Sequence, residues 1–246
     1  RWPLLADWPG TQPDSALLAA STLSTLALTD DPLAQLATAR RFLLTLETLG
    51  YVRPTGKEFA LTPKVMELGF SYLSSLGLTD VITPHLTALS QQVHESASAA
   101  ILDGNEIVYI ARSAGRKIMQ VQITTGTRFP AYATSMGRVL LAGLPAGEVK
   151  SAVTSASLVA LTSFTKTRVA DLTAEVERVR EQGFAFVDQE LELGLRSIAV
   201  PIFGPSKKLV AAINISTGIS LTPDQTIEAF LPPLRECATR IEAELF

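Results

Sequence analysis

The apolar period of this chain changes at Ser96. Before that residue, apolar side chains recur at three and four positions; after it, they alternate or run in short blocks bounded by turn residues. The switch limits the chain to helices first and a sheet second. Because the sheet-forming runs come as hairpins, the sheet should be mainly antiparallel and the class α+β. ASAAILDGNEIVYIARS reads as two strands about Asp103-Gly104-Asn105, and RSIAVPIF with LVAAINIS as another pair about Gly204-Pro205-Ser206. KIMQVQI predicts a further strand between them. DLTAEVERVREQ carries Leu172, Val176 and Val179 on one helical face and stops at Gly183, before a strand through Phe184, Phe186 and Asp188. A closing helix begins at Pro223.

The first third of the chain is helical in pattern. TDDPLAQLATARRFLLTLETLGYV opens on a capping residue, Thr29 or Asp30, with Pro32 in the first turn, and closes at Gly50. Phe42, Leu46 and Leu49, widened by Leu43, predict its buried stripe, with Arg40 and Arg41 near its beginning. YVRPTGKEFALT then predicts two short strands about Pro54-Thr55-Gly56-Lys57. Val65, Leu68, Tyr72 and Leu76 predict a connecting helix, and Leu86, Leu89 and Val93 another. Residues 1 to 28 read as a loop followed by a helix. A length of 246 residues suits two modest domains.

Composition narrows the function. The formal net charge is −3, so no global basic field marks the chain as a nucleic-acid binder, and any such contact must be local. Between Thr38 and Lys64 five positive residues, Arg40, Arg41, Arg53, Lys57 and Lys64, stand against Glu47 and Glu58. A basic helix beside a basic hairpin suits a winged helix-turn-helix, whose helix enters the major groove while the wing touches phosphate. A solvated charged face is the plainer alternative. The single cysteine, Cys237, excludes an internal disulfide, and His85 and His94 lack metal-ligand spacing, so no metal or cofactor is expected. No apolar run approaches the ~18 residues a membrane helix needs, and RWPLLADWPG lacks a signal-peptide layout, so a cytoplasmic protein with no membrane partner is expected.

One stretch, FPAYATSMGRVLLAGL, combines a helix start with residues an ordinary core helix does not need. Thr134-Ser135 before Val139, Leu140 and Leu141 reads as a capped N-terminus. Its free amides at Ser135 and Met136 could meet a carboxylate, with Gly137 leaving the backbone approachable. A capped core helix is the alternative. Asp188 and Glu190 stand at a strand end, and Asn214 and Ser216 share one side of a strand that otherwise reads as buried, with Ser197 on the facing strand. Polar groups inside an apolar sheet need partners, supplied by a small ligand or by one another. An enzyme would use Ser135 as nucleophile with His94 and Asp188 behind it. The surroundings are not G-x-S-x-G, and Arg138 cannot act as the lysine of an S-x-x-K site, so no catalytic residue is assigned.

The ordered motifs ARRFLLTLETLGYV, LTPKVMELG, ESASAAILDGNEIVYIARS, FPAYATSMGRVLLA, GFAFVDQELELGLRSIAVPI and AAINIS resemble the IclR family of bacterial transcriptional regulators, over most of Thr38 to Phe246. They are especially similar to its branch controlling aromatic-acid breakdown. The resemblance implies a winged helix-turn-helix over residues 1–61, a linker helix over 62–78, and a GAF-like effector-binding domain over 79–246, its mainly antiparallel sheet flanked by helices. It implies a homodimer or dimer of dimers on promoter DNA. It also implies a small carboxylic-acid effector of the protocatechuate, 4-hydroxybenzoate or β-ketoadipate type. The matching effector positions are Ser135, Met136, Gly137, Asp188 or Glu190, Ser197, Asn214 and Ser216; the DNA positions are Thr38, Arg40, Arg41, Arg53 and Lys57. A small-acid hydrolase and a module whose N-terminal part contacts protein are the alternatives. The sequence departs from the family where LAQLA runs directly into TARRFLL, without the turn a helix-turn-helix requires.

Overall fold

The computed structural model describes residues 32–56, 58–68, 77–115 and 123–245. The chain divides into two compact units, residues 1–75 and 76–246.

In the first unit, helix α1 (Pro32–Thr48) is followed by strands β1 (Val52–Thr55) and β2 (Glu58–Leu61). The helix ends in a Schellman arrangement. The Gly50 N–H donates to Glu47 O and the Tyr51 N–H to Leu46 O, each at 2.8 Å, with Gly50 at φ 80°. Lys64 Nζ donates to Leu49 O at 2.9 Å and lies over the Tyr51 ring. That cation therefore serves the helix end. The strands pair antiparallel from Val52 opposite Leu61 to Thr55 opposite Glu58.

Two expectations change here. The helix passes without interruption through LAQLATARRF, so the described residues of this unit hold that helix, a hairpin and a helical turn over 65–68, and no helix-turn-helix turn. Arg40 and Arg41 accordingly fall in its middle rather than near its beginning. The buried face also differs: Ala39 is buried with Leu43 and Leu46 partly so, whereas Phe42 and Leu49 are about half exposed, at 52% and 50%. Rows 39-43-46 and 42-46-49 are both helical and share Leu46; the row with the small Ala39 allows the closer backbone approach. Residues 1–31, Lys57, most of the expected connecting helix and nearly all of KIMQVQI lie outside the described residues.

The second unit is built on a six-stranded antiparallel sheet. Its strands are β3 (Ser96–Asp103), β4 (Glu106–Ser113), β5 (Arg128–Pro130), β6 (Ala185–Asp188), β7 (Leu195–Phe203) and β8 (Leu209–Gly218), in the order β5-β4-β3-β8-β7-β6. Both hairpins expected from the sequence form. At the first, Asp103 faces Glu106 and Gly104 takes φ 60°, as a two-residue turn with glycine first requires.

Cross-strand register sorts the sheet into two unlike faces. Ala97, Ile215 and Ile198 are aligned across neighbouring strands, as are Ala99, Ile213 and Val200, and all are buried. Helices α2 (Leu78–Val93) and α6 (Pro223–Glu244) pack on the sheet and on each other, burying Ile82, Leu86, Leu234 and Ile241. The start of α6 is a capping box between Thr222 and Gln225. The opposite face is set by Ala100 with Ala212, Ser98 with Asn214 and Ala199, and Ser96 with Ser216 and Ser197. Small and polar side chains there leave space beneath helix α3 (Ser135–Ala142), which packs on β7 and β8 and against α5 (Val169–Gln182). Helix α4 (Ala146–Ser155) covers α5 and α3 from outside.

Candidate ligand-binding site

The stretch Thr134 to Arg138 resolves into four distinct tasks. Thr134 leaves the 3-10 turn Ala131–Ala133 in an extended conformation and caps α3, its Oγ1 accepting from the Gly137 N–H at 3.1 Å. Gly137 is required by packing. A Cβ there would lie 2.2 Å from Ala131 O and 2.4 Å from Ala131 Cα, so the missing side chain makes room for the turn's backbone and not for an approaching ligand. Arg138 is fully buried; its Nε donates to Tyr132 O at 3.1 Å and Nη2 to Glu190 Oε2 at 2.6 Å, while Nη1 has no partner. Ser135 is also fully buried, and its hydroxyl makes no hydrogen bond. As the first two helical positions, the Ser135 and Met136 amides precede the first intrahelical bond, which the Arg138 N–H gives to Thr134 O at 3.1 Å.

Beside this helix start, between α3 and the small-residue face of the sheet, is a closed cavity. Tyr109, Ile123, Val187, Leu191 and Leu195 supply its apolar lining; Thr134, Ser197, Asn214 and Ser216 supply the polar one. Its free volume is about 20 Å³, room for roughly one water. Asn214 Nδ2 donates to Ser216 Oγ at 3.0 Å, and the buried Asn214 Oδ1 accepts nothing. Burial pushes the Tyr109 phenol up to about 12, against the pull of Arg112, so it stays neutral; its ring meets Phe129 edge-on at 5.8 Å.

The residues singled out in the sequence separate into three groups. Ser197, Asn214 and Ser216 line the cavity. Ser135, Met136 and Gly137 follow directly on Ala133 and Thr134, which line it, and are themselves packed into the core. Asp188 and Glu190 lie outside the lining, each held by an arginine. Asp188 accepts from the cross-strand Arg196 at 2.7 and 3.2 Å. Glu190 accepts from Arg138 and from the Lys166 N–H at 2.9 Å. Both carboxylates are therefore paired with an arginine and turned to tasks in the wall. Ser135, His94 and Asp188 form no relay: the Ser135 hydroxyl is unbonded and Asp188 serves Arg196.

Several lining residues escaped the sequence reading. Tyr109, Leu191 and Leu195 look like ordinary strand and loop residues, and only strand order brings them together. Thr134 was legible as a cap but not as a wall. In the first unit Arg40, Arg41 and Arg53 are exposed and Thr38 is half-buried. Among the described residues no group of three metal-binding side chains occurs, and no helix is long and apolar enough to cross a membrane.

Comparison with known proteins adds to this geometry. The chain is 43% identical over 212 residues, 85% of its length and 73% of the relative's, to the Pca regulon regulatory protein of Pseudomonas putida. A solved transcriptional regulator from Rhodococcus sp. RHA1 is 54% identical, with a TM-score of 0.67 over 85% of this chain and 84% of that one. The inducer-binding domain of PobR from Acinetobacter, solved as a double mutant with 3-hydroxybenzoic acid, is 30% identical, with a TM-score of 0.62 over 67% of this chain and 97% of that one. Residues 70–243 match the model of the C-terminal domain of the bacterial transcriptional regulator IclR. An antiparallel sheet with one small-residue face, a capped helix above it and these relatives agree: the chain belongs to the IclR family of bacterial transcriptional regulators.

Proposed function

We propose that the protein is a one-component sensor of aromatic-acid catabolism, working in the cytoplasm as a homodimer or dimer of dimers. Residues 1–61 grip promoter DNA, 62–78 link, and 79–246 bind a small aromatic or dicarboxylic acid. The carboxylate sits at the start of α3, at the amides of Ser135 and Met136. Ser197, Asn214 and Ser216 hold the rest of the molecule, while Asp188 and Glu190 brace the wall through their arginines. One observation carries the reading: the buried Ser135 Oγ and Asn214 Oδ1, at the helix start and on the cavity floor, have no partner. Folded proteins seldom leave such groups unsatisfied unless something else meets them. The 3-hydroxybenzoic acid held by the double mutant of the PobR inducer-binding domain supports the same ligand class.

The cavity is far smaller than the roughly 300 Å³ or more of a small-molecule pocket, so the acid must select a more open state. A ligand that binds the open and closed states unequally shifts the DNA-binding equilibrium between them. The test is a titration of promoter fragments with protocatechuate, 4-hydroxybenzoate and β-ketoadipate. DNA affinity or transcription should change with at least one, and no response to any of them removes the sensor. For DNA contact, Thr38, Arg40, Arg41, Arg53 and Lys57 are the assigned positions. Arg40→Ala and Arg53→Ala should each weaken binding and lower the salt slope by about one if they contact phosphate. Salt-independent binding, or none, would assign the first unit to a protein partner.

A further inference from the structure

Tyr109 and Tyr132 are equally buried, each 4% exposed, but the protein satisfies the hydroxyl of only one of them. The Tyr132 hydroxyl donates to Val159 O at 2.9 Å and accepts from the Val159 N–H at 3.1 Å. The Tyr109 hydroxyl has no hydrogen-bond partner among the described residues, although a buried phenol usually finds one. Tyr109 lies opposite Ala100, which lies opposite Ala212, so its side chain stands on the small-residue face of the sheet, where it lines the cavity. Its ring meets Phe129 of β5, and β5 runs through the turn Ala131–Ala133 into Thr134 and the start of α3. Tyr109 and the helix start therefore border the same cavity, which Ala133 and Thr134 also line.

Among the described residues no charged side chain lines that cavity. A carboxylate held there must be met by neutral donors, and its two oxygens offer about four acceptor sites. The Ser135 and Met136 amides can fill only part of them. An O–H that donates to a charged oxygen makes a bond roughly twice as strong as one between neutral groups. Burial pushes the phenol up to about 12, so Tyr109 brings a proton to donate and no negative charge to repel the acid.

We propose that Tyr109 is a further ligand-binding residue of the sensor: its phenol O–H donates to the carboxylate of the bound acid, beside the amides at the start of α3. The proposal rests on the cavity being the acid site. It deepens that reading by adding a donor from the sheet to the donors from the helix, so that the carboxylate is held from two elements. Phe129, edge-on at 5.8 Å, braces the ring, and a donor placed before the acid arrives costs less to order on binding.

Tyr109→Phe keeps the ring and its contact with Phe129 and removes only the hydroxyl. Calorimetry on the full chain with 4-hydroxybenzoate, protocatechuate and adipate identifies which acid binds the unaltered protein most tightly. Tyr109→Phe should weaken that acid by about ten-fold or more, the weight of a hydrogen bond to a charged group. An unliganded melting temperature no lower than that of the unaltered protein reports an intact fold. Infrared difference spectra of the same acid, isotope-labelled at its carboxylate, supply a readout that packing alone would not move. The antisymmetric carboxylate stretch of the bound acid should differ between the unaltered protein and Tyr109→Phe, because one donor to it is gone. An affinity that changes by less than about two-fold, or one that falls while the stretch stays where it was, overturns the role of Tyr109 and leaves the carboxylate to the helix start. If none of the three acids binds the unaltered protein, the cavity reading itself fails.

Discussion

Arg138 and Glu190 stand 52 positions apart in the chain and meet at 2.6 Å inside the second unit, the guanidinium fully buried. The pair ties α3, which carries the candidate anion site, to the loop between β6 and β7, which supplies Leu191 to the cavity wall. That loop is otherwise fixed by Thr162 Oγ1 donating to Gln189 O and Thr165 Oγ1 donating to Glu190 O, each at 2.7 Å. Helix and wall are therefore joined by a buried ion pair.

Breaking this pair should be costly. Glu190→Gln leaves a buried guanidinium without its countercharge, and removal of one partner from a buried pair costs about 3–5 kcal/mol. Urea unfolding should show the loss as a lower midpoint. Replacing both residues, Arg138→Met with Glu190→Met, should recover much of it because neither member of the pair is left buried without the other. An unchanged midpoint in Glu190→Gln would mean that the pair adds nothing to stability.

Gly137→Ala tests the close approach of α3 to the preceding turn. The new methyl would fall on Ala131 backbone atoms, which cannot swing aside as a long side chain can. The turn or the helix must shift, at about 1–3 kcal/mol, the range for overpacked sites. Thermal unfolding should detect it, and an unaltered melting temperature would show that the turn yields freely.

Ser135→Ala should separate stability from sensing. Removing a buried hydroxyl that bonds to nothing relieves a penalty of about 1 kcal/mol, so the free protein should become more stable. The same change removes a group assigned to the acid, so ligand affinity should fall. Parallel unfolding and calorimetry would show the opposite signs. A loss of stability with affinity intact would place the hydroxyl in the scaffold.

A pH dependence follows from Glu175. Burial alone would raise its carboxyl, but the Lys166 ammonium, 2.7 Å away, together with Arg138 and Arg178, outweighs burial and holds it below the ordinary 4.5. A carboxyl depressed in the folded state contributes stability that is complete above its unfolded value and lost as pH falls through the folded one. Glu175→Gln should therefore flatten the decline in stability below about pH 4.5. Unfolding curves between pH 3 and 6 should show it, the range being roughly that of carboxylate titration; parallel declines in both proteins would assign the acid sensitivity elsewhere.

The sequence by itself determined both hairpins, the helices that stop at Gly50 and Gly183, the capped start at Thr134 and the polar spacing of Asn214 and Ser216, but not the helix Ala146–Ser155 or the short strand Arg128–Pro130. What it determined depends on residues a few positions apart, where turn chemistry and apolar period act directly. It did not determine which helical row of α1 is buried, because rows 39-43-46 and 42-46-49 obey the same period and only the packing partner chooses between them. Nor could it show that Gly137 yields space to Ala131 or that Arg138 is spent on Glu190. Those outcomes depend on strand order, on register and on which face lies against which helix. Contacts across 50 residues are chosen by how the whole sheet and its helices fill space together, and only the tertiary structure contains that choice.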